Sequence, residues 1–341
     1  MSFLRNVWYV SAWDDEVGRS LLGRKILEEA VVFYRREDGT PVAMTDRCPH
    51  RFAPLSKGRL LGDAIECAYH GLQFDCSGQC TLNPHGDGKI PSKAVVKTYP
   101  VVERYGLIWI WMGDAADADP SMIPEFEFLT DPQFQNVKGY TLADGHYELM
   151  TDNIMDLGHI EFLHPGLLGS DAVRRAKTEI IQSGNTVYSN RLTENEILPP
   201  VLQKWYEVGD KRCQRWLNVR WDPAATMKLT VGVLPTGEPK ENAHESQGCH
   251  LMTPATLTST HYFWAQGRNW GQPNPDMDAL RLQSLRTAFD TQDKPMIEAV
   301  QNNMGTTDLD SLSPVMLSTD GGPVRARRVL KQLLLEESKA A

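Results

Sequence analysis

The chain has 341 residues, enough for two folded units, and its 41% hydrophobic and 23% charged residues are an ordinary globular mix. Thirty-five basic against 44 acidic side chains leave a formal charge of −9, which excludes a general attraction to nucleic acid or to anionic lipid. No apolar run approaches the roughly 20 residues of a membrane-crossing helix. The apolar start "FLRNVWYVSAW" is interrupted by Arg5 and Asn6 and followed by Asp14 and Asp15, so it reads as a first strand of a cytoplasmic protein and not as an export signal.

The first third of the chain is written in strands and turns. "AVVFYRREDGTPVAMTD" sets two apolar runs around Asp38-Gly39, and "GLQFDCSGQCTLN" repeats the pattern around Ser77-Gly78, both hairpin signals. "VVERYGLIWIWMGD" gives a further strand pair with Trp109 and Trp111 on one face. Before residue 115 there is no segment of convincing helical period, so residues 1–115 are expected to form an all-β domain. Residues 116–138, entered through the acidic, proline-containing "GDAADADPSMIPEF", read as a linker. Residues 139–341 read as an α+β domain. "GHYELMTDNIMDLGHIEFLH" has helical spacing, 178–270 alternates strand-like runs with turns, and "PDMDALRLQSLRTAFDTQDKPMIEAVQNNM" and the amphipathic "VRARRVLKQLLLEE" are helical.

Two stretches carry chemistry. Cys48-Pro49-His50 and Cys67-Ala68-Tyr69-His70 are two Cys–His arms, C-x-H and C-x2-H. Tetrahedral zinc accepts such a set, and so does a two-iron, two-sulfide cluster with both cysteines on one iron and both histidines on the other. One Cys and one His per arm suits the cluster, held between two hairpin loops. Neutral imidazoles in place of two thiolates raise the potential of such a cluster to about −150 to +300 mV, against roughly −400 mV for an all-thiolate plant-type centre. It relays electrons and does no bond chemistry, so the rest of the chain must hold the acceptor. The C-x3-C pair Cys76 and Cys80 reads as a turn with small buried side chains.

In the second stretch, "DNIMDLGHIEFLHPG", Asn153, Asp156 and His159 are spaced to lie along one helix face. His164 follows five residues later, which on an ideal helix turns it about 140° away from His159. Pro165 and Gly166 end the helix, leaving His164 in a distorted last turn from which it can swing back. Asp152 and Glu161 read as solvated or structural acids.

The arms "CPHR" and "CAYHG", with Leu72 after them, resemble the Rieske motif, and "DNIMDLGHIEFLHP" resembles the mononuclear-iron motif of the Rieske non-haem iron oxygenases. The resemblance runs from "RNVWYVSAW" to "DGGPVRARRVLKQLL" and is to the single-component vanillate and dicamba O-demethylase oxygenases. It implies a Rieske [2Fe–2S] cluster on Cys48, His50, Cys67 and His70. It implies a 2-His-1-carboxylate site for a mononuclear Fe(II) on His159, His164 and Asp293, the acid being picked because "FDTQDKPMIEA" resembles the family's later segment, in preference to Asp290, with Asn153 beside the iron. The catalytic domain would be an antiparallel sheet with helices of the helix-grip type. Asp156 would bridge His70 of one subunit to His159 of the next, in a head-to-tail homotrimer.

The same resemblance implies a terminal oxygenase that uses O2 to oxidise the methyl carbon of a methoxylated aromatic acid, releasing a phenol and formaldehyde. His250, in "GCHLMTPAT", matches a carboxylate-contacting His of these enzymes, and Leu229 stands where an Asn is found. Trp264 and Met227 read as core. Hydroxylation of a methyl group or ring of another aromatic acid is the alternative. A plain Rieske electron-transfer protein is the non-enzymatic one, against which His159, His164 and Asp293 argue. No G-x-G-x-x-G opens a βαβ unit, so electrons from NAD(P)H must come through a separate reductase. Arg325, Arg327, Arg328 and Lys331 on the last helix are either a solvated face or a dock for an acidic partner.

Overall fold

The computed structural model describes residues 3–340. They form two compact units, one of residues 5–123 with Thr253–Thr256, the other of residues 3–4, 124–252 and 257–340.

The first unit is built from short antiparallel strands and 3-10 turns, as its turn-rich sequence requires. β1 (Trp8–Trp13), β10 (Val101–Arg104) and β11 (Leu107–Trp111) form one sheet in the order β1-β11-β10. β2 (Leu22–Ile26), β3 (Glu29–Arg35), β4 (Pro41–Thr45) and β9 (Thr98–Tyr99) form a second in that order. β5 (Arg59–Leu61), β6 (Ala64–Glu66), β7 (Gln73–Phe74) and β8 (Cys80–Leu82) form a third. The β7–β8 hairpin turns at Ser77-Gly78, where Asp75 Oδ1 accepts from the backbone N–H of Ser77 and Gln79. Gly78 has φ +81°, and a Cβ there would sit 1.9 Å from the Val96 carbonyl oxygen, so only glycine fits. Cys80 packs in a core with Tyr34, Ile65 and Phe74, with Cys76 against it, in keeping with a structural role for this pair.

Residues 116–138, expected as a linker, are largely structured. They contain the 3-10 turns Pro120–Met122 and Glu127–Leu129 and the start of a strand at Gln135. Asp119 caps the first turn by accepting from Ser121 N–H, and Phe126 and Phe128 are buried.

The second unit is a seven-stranded antiparallel sheet. Its strands are β12 (Gln135–Ala143), β13 (Thr178–Ser183), β14 (Thr186–Ile197), β15 (Arg212–Asp222), β16 (Thr226–Pro235), β17 (His244–Thr256) and β18 (Ser259–Arg268). The order β12-β18-β17-β16-β15-β14-β13 is a meander from β13 to β18, with β12 added at the β18 edge. Along β15 the buried residues alternate strictly, Cys213, Arg215, Leu217, Val219 and Trp221, as a half-buried strand requires. The helices are α1 (Tyr147–Met155), α2 (Ile160–Leu163), α3 (Asp171–Arg175), α4 (Pro200–Trp205), α5 (Pro275–Arg286), α6 (Lys294–Met304) and α7 (Gly321–Ala340). α1 packs on β15, α5 and α6 on β12, and α7 on β14. No helix among the described residues is long and apolar enough to cross a membrane.

Candidate metal centres and the adjoining cavity

The two Cys–His arms are loops of one design. In the first, Cys48 N–H donates to Ala53 O at 2.9 Å and Cys48 O accepts from Phe52 N–H at 2.9 Å. In the second, Cys67 N–H donates to Leu72 O at 2.8 Å and Cys67 O accepts from Gly71 N–H at 2.9 Å. Each loop closes through a left-handed residue four positions after its cysteine, Phe52 at φ 61° and Gly71 at φ 71°. Both cysteines are buried free thiols, whereas His50 is exposed and His70 half-buried, their rings 4.3 Å apart edge to face. Burial, with Cys67 alongside, pushes the Cys48 thiol up to about 11. Two thiols held this close in an apolar setting call for a positively charged partner, and sulfur inside with imidazole outside is the polarity of a cluster whose histidine-bound iron faces solvent. The four residues fit a [2Fe–2S] group. Sequence inspection gave no role to His85, which donates from Nε2 to His70 O at 2.9 Å and braces the second loop from outside.

The second set converges from two segments. α1 stops at Met155, and Asp156 is extended (φ −108°, ψ 95°). Its Oδ1 accepts from Gly158 N–H at 2.8 Å, starting the 3-10 turn Leu157–His159 that leads into α2. The expected single helix face through Asn153, Asp156 and His159 is therefore broken, and the break is what turns His159 inward. His164 closes α2 with φ −117° and ψ 54°, the distorted end that Pro165 imposes. Asp293 ends a π-helical stretch, Thr287–Asp293, between α5 and α6. Pro295 has no N–H to give the carbonyl four residues back, which relaxes the α-helical ladder here.

Asp293 Oδ1 lies 3.2 Å from His164 Nε2 and 3.5 Å from His159 Nε2, and the three ligand atoms are within 4.8 Å of one another. The outer nitrogens are tied: His159 Nδ1 to the Asp156 carbonyl and His164 Nδ1 to Gln292 Oε1, each at 2.7 Å. These contacts fix both Nε2 atoms as the ones turned inward, the outer support that metal-binding imidazoles need. Burial opposes charge on both rings. It wins at His159, held below its ordinary value, while at His164 the Asp293 carboxylate and Gln292 outweigh it and raise the ring. A cation is thus favoured where the three atoms meet, and the donor set, two neutral nitrogens and one carboxylate oxygen, fits Fe(II) with positions left open.

Asn153 donates to Asp293 Oδ1 at 3.1 Å and sits 3.4 Å from His159 Nε2, beside the site. Asp290, the competing acid, faces away and accepts from Thr141 Oγ1. The Asp156 carboxylate meets Gly158 N–H and Arg191, 3.4 Å away, so within one chain its carbonyl and not its side chain touches His159. Asp152 is ion-paired with Arg327 at 2.6 Å, and Glu161 with Arg174 at 3.4 Å. Arg327 also meets Glu148, and Lys331 lies 3.6 Å from Asp310. The basic residues of α7 are thus partly spent on internal pairs. Arg191, Gln292 and Tyr262 were not legible as site residues.

His159, His164 and Asp293 open onto a largely apolar cavity. The register of β16 on β17 sets Met227 opposite His250 and Leu229 opposite Gly248, so His250 and Leu229 share the cavity face. Lys228 takes the other face and lies 3.5 Å from Glu125. Leu157, Leu217, Leu229, Val231 and Phe289 belong to its apolar wall. His250 Nδ1 is 2.6 Å from Tyr262 OH, and burial holds the imidazole down to about 4, so it is neutral at pH 7. Trp264 packs on Phe289 and Met227 is buried, both as core.

A sulfur–imidazole surface site on one unit and a two-histidine, one-carboxylate cluster on the other are the pair of centres that defines oxygenases combining a Rieske cluster with mononuclear non-haem iron. Residues 7–100 match the Rieske [2Fe–2S] domain, and residues 143–336 match the vanillate O-demethylase oxygenase C-terminal domain. The chain is 39% identical to the oxygenase component of dicamba O-demethylase from Stenotrophomonas maltophilia, over the whole length of both. A crystal structure of dicamba monooxygenase bound to 3,6-dichlorosalicylic acid superposes with a TM-score of 0.95 at 38% identity, covering 99% of each chain. One with non-haem iron and dicamba superposes at 0.88 and 37%, covering all of both. The chain belongs to the Rieske oxygenase family, on the branch of the vanillate O-demethylase oxygenases.

Proposed function

We propose that the protein is the terminal oxygenase component of a Rieske monooxygenase system that removes the methyl group of a methoxylated aromatic compound as formaldehyde. The observation that carries this reading is the convergence of His159 Nε2, His164 Nε2 and Asp293 Oδ1 on the wall of a largely apolar cavity. Its support is the likeness to dicamba O-demethylase along the entire chain.

In this reading residues 1–115 relay electrons and 139–341 carry the catalysis. Cys48, Cys67, His50 and His70 hold the [2Fe–2S] cluster, and His159, His164 and Asp293 hold Fe(II). Iron held there supplies the reductive activation of O2 that C–H oxidation needs. The chain itself shapes where that happens. The apolar wall excludes bulk water, Gln292 and the Asp156 carbonyl hold the imidazoles in one tautomer, and Asn153 steadies the carboxylate. A separate ferredoxin or flavin reductase feeds electrons from NAD(P)H, and the protein works in the cytoplasm as a homotrimer, where Asp156 of one subunit meets His70 of the next. The test couples the purified protein to a surrogate reductase and offers a panel of methoxylated aromatics. Formaldehyde released one for one with NADH and O2 consumed supports demethylation; a hydroxylated ring with the methyl group retained contradicts it.

A further inference from the structure

His250 and Tyr262 lie on the neighbouring strands β17 and β18, and both are buried. Their ring planes are 19° apart, with the Tyr262 hydroxyl 2.6 Å from His250 Nδ1. Phe289 packs edge-on against both rings, its centroid 5.6 Å from each, which holds the pair in place. The direction of the hydrogen bond follows from the protons available. Burial and the nearby Asp293 carboxylate keep the phenol protonated, and burial keeps the imidazole neutral. The hydroxyl has no other hydrogen-bond partner among the described residues. Were it to accept from Nδ1–H, its own proton would be stranded in the interior, a cost that the opposite direction avoids. The hydroxyl therefore donates, Nδ1 accepts, and the single imidazole proton sits on Nε2. That nitrogen has no hydrogen-bond partner among the described residues. It lies 3.7 Å from where a Cβ on Gly248 would stand, and Gly248 and His250 both line the cavity beside the iron ligands. The missing side chain at Gly248 leaves the approach to Nε2 open.

We propose that Tyr262 is a positioning residue that locks His250 as a hydrogen-bond donor, through Nε2–H, to an acceptor oxygen on a second substituent of the methoxylated ring. The inference rests on the demethylase reading and adds what orients the ring: an oxygen pinned at His250 sets which edge is turned toward His159, His164 and Asp293. The lock makes the site one-sided. An acceptor oxygen meets Nε2–H directly. A substituent that donates, such as an aromatic amine, meets a second donor, and receiving it requires the proton to move to Nδ1 and strand the Tyr262 hydroxyl.

The test is binding without turnover. The iron-loaded protein, kept free of O2, is titrated calorimetrically at pH 7.5 with 2-, 3- and 4-methoxyacetophenone, whose carbonyl only accepts, and with the matching methoxyanilines, whose amine donates. Both series are uncharged, so the iron site weighs equally on them. The parent is expected to prefer the ketone by about tenfold or more in the best-bound pair. Tyr262→Phe keeps the ring against Phe289, deletes the O–H and lets the imidazole proton sit on either nitrogen, so the preference narrows by about three- to tenfold. A merely structural role would weaken both probes alike and leave their ratio unmoved. His250→Phe removes the donor and should abolish the preference; iron and sulfide content show that each variant is intact. No binding of any ketone, no preference in the parent, or a preference unchanged in either variant overturns the proposal. Formaldehyde released from a ketone whose preference Tyr262→Phe leaves unchanged keeps the demethylase reading and defeats the lock; the expected preferences with no formaldehyde from any bound probe on turnover do the reverse.

Discussion

At the scale of single residues, His164 is the most informative. Its spacing from His159 argues for divergence on an ideal helix, and the structure brings the two rings to 5.3 Å through the break at Asp156 and the distorted end of α2. His164→Ala is expected to keep the optical spectrum of the cluster and to lose the third iron on metal analysis; retention of that iron would place the ligand elsewhere. Gln292→Leu removes the support of His164 Nδ1 and should weaken mononuclear iron binding by about 10- to 100-fold in a chelator competition. His250 makes a pH prediction. Its folded value, about 4, lies below the unfolded 6.5, so the unfolded chain binds the extra proton between them. Stability is therefore full above pH 6.5 and is lost as the pH falls toward 4, by about 2 kcal/mol at pH 5. Urea melts at pH 7 and pH 5 should differ by that much less in His250→Gln than in the parent.

At the scale of elements, the hairpins were legible because Asp38-Gly39 and Ser77-Gly78 are local signals that tertiary contacts do not override. Gly78→Ala forces a Cβ onto the Val96 carbonyl at positive φ, and should cost at least about 2 kcal/mol. That loss should appear as bleaching of the cluster at a lower temperature, with the transition of the catalytic unit unmoved. The two breaks that build the iron site were harder to read. α1 and α2 share one hydrophobic period, and only the Asp156–Gly158 turn interrupts it. The π-helical stretch before Asp293 looks like ordinary helix in the sequence, because the one extra backbone residue leaves no compositional mark beyond Pro295. The order within the linker segment was hard to read for a similar reason: acidic, proline-containing "GDAADADPSMIPEF" is turn chemistry, yet its Ile123 and Phe126 are buried.

At the scale of the whole molecule, the Cys–His arms and the His159–His164 pair were legible as spacings of reactive residue types and Asp293 only through the resemblance of its segment, but the cavity beside these residues had to come from strand register. The proposed ring of three depends on Asp156. Asp156→Asn keeps an oxygen for Gly158 N–H, so the turn should survive with both metals bound, while reoxidation of the reduced cluster by O2 and substrate should slow by about 10- to 100-fold. Unaltered reoxidation, followed by stopped-flow absorbance, would remove the electron route through this carboxylate. The central claim is that one polypeptide carries two distinct iron centres, and the most direct measurement is iron and acid-labile sulfide per chain in protein purified without O2. Three irons and two sulfides are expected; two irons with two sulfides, or zinc on Cys48, His50, Cys67 and His70, would contradict it.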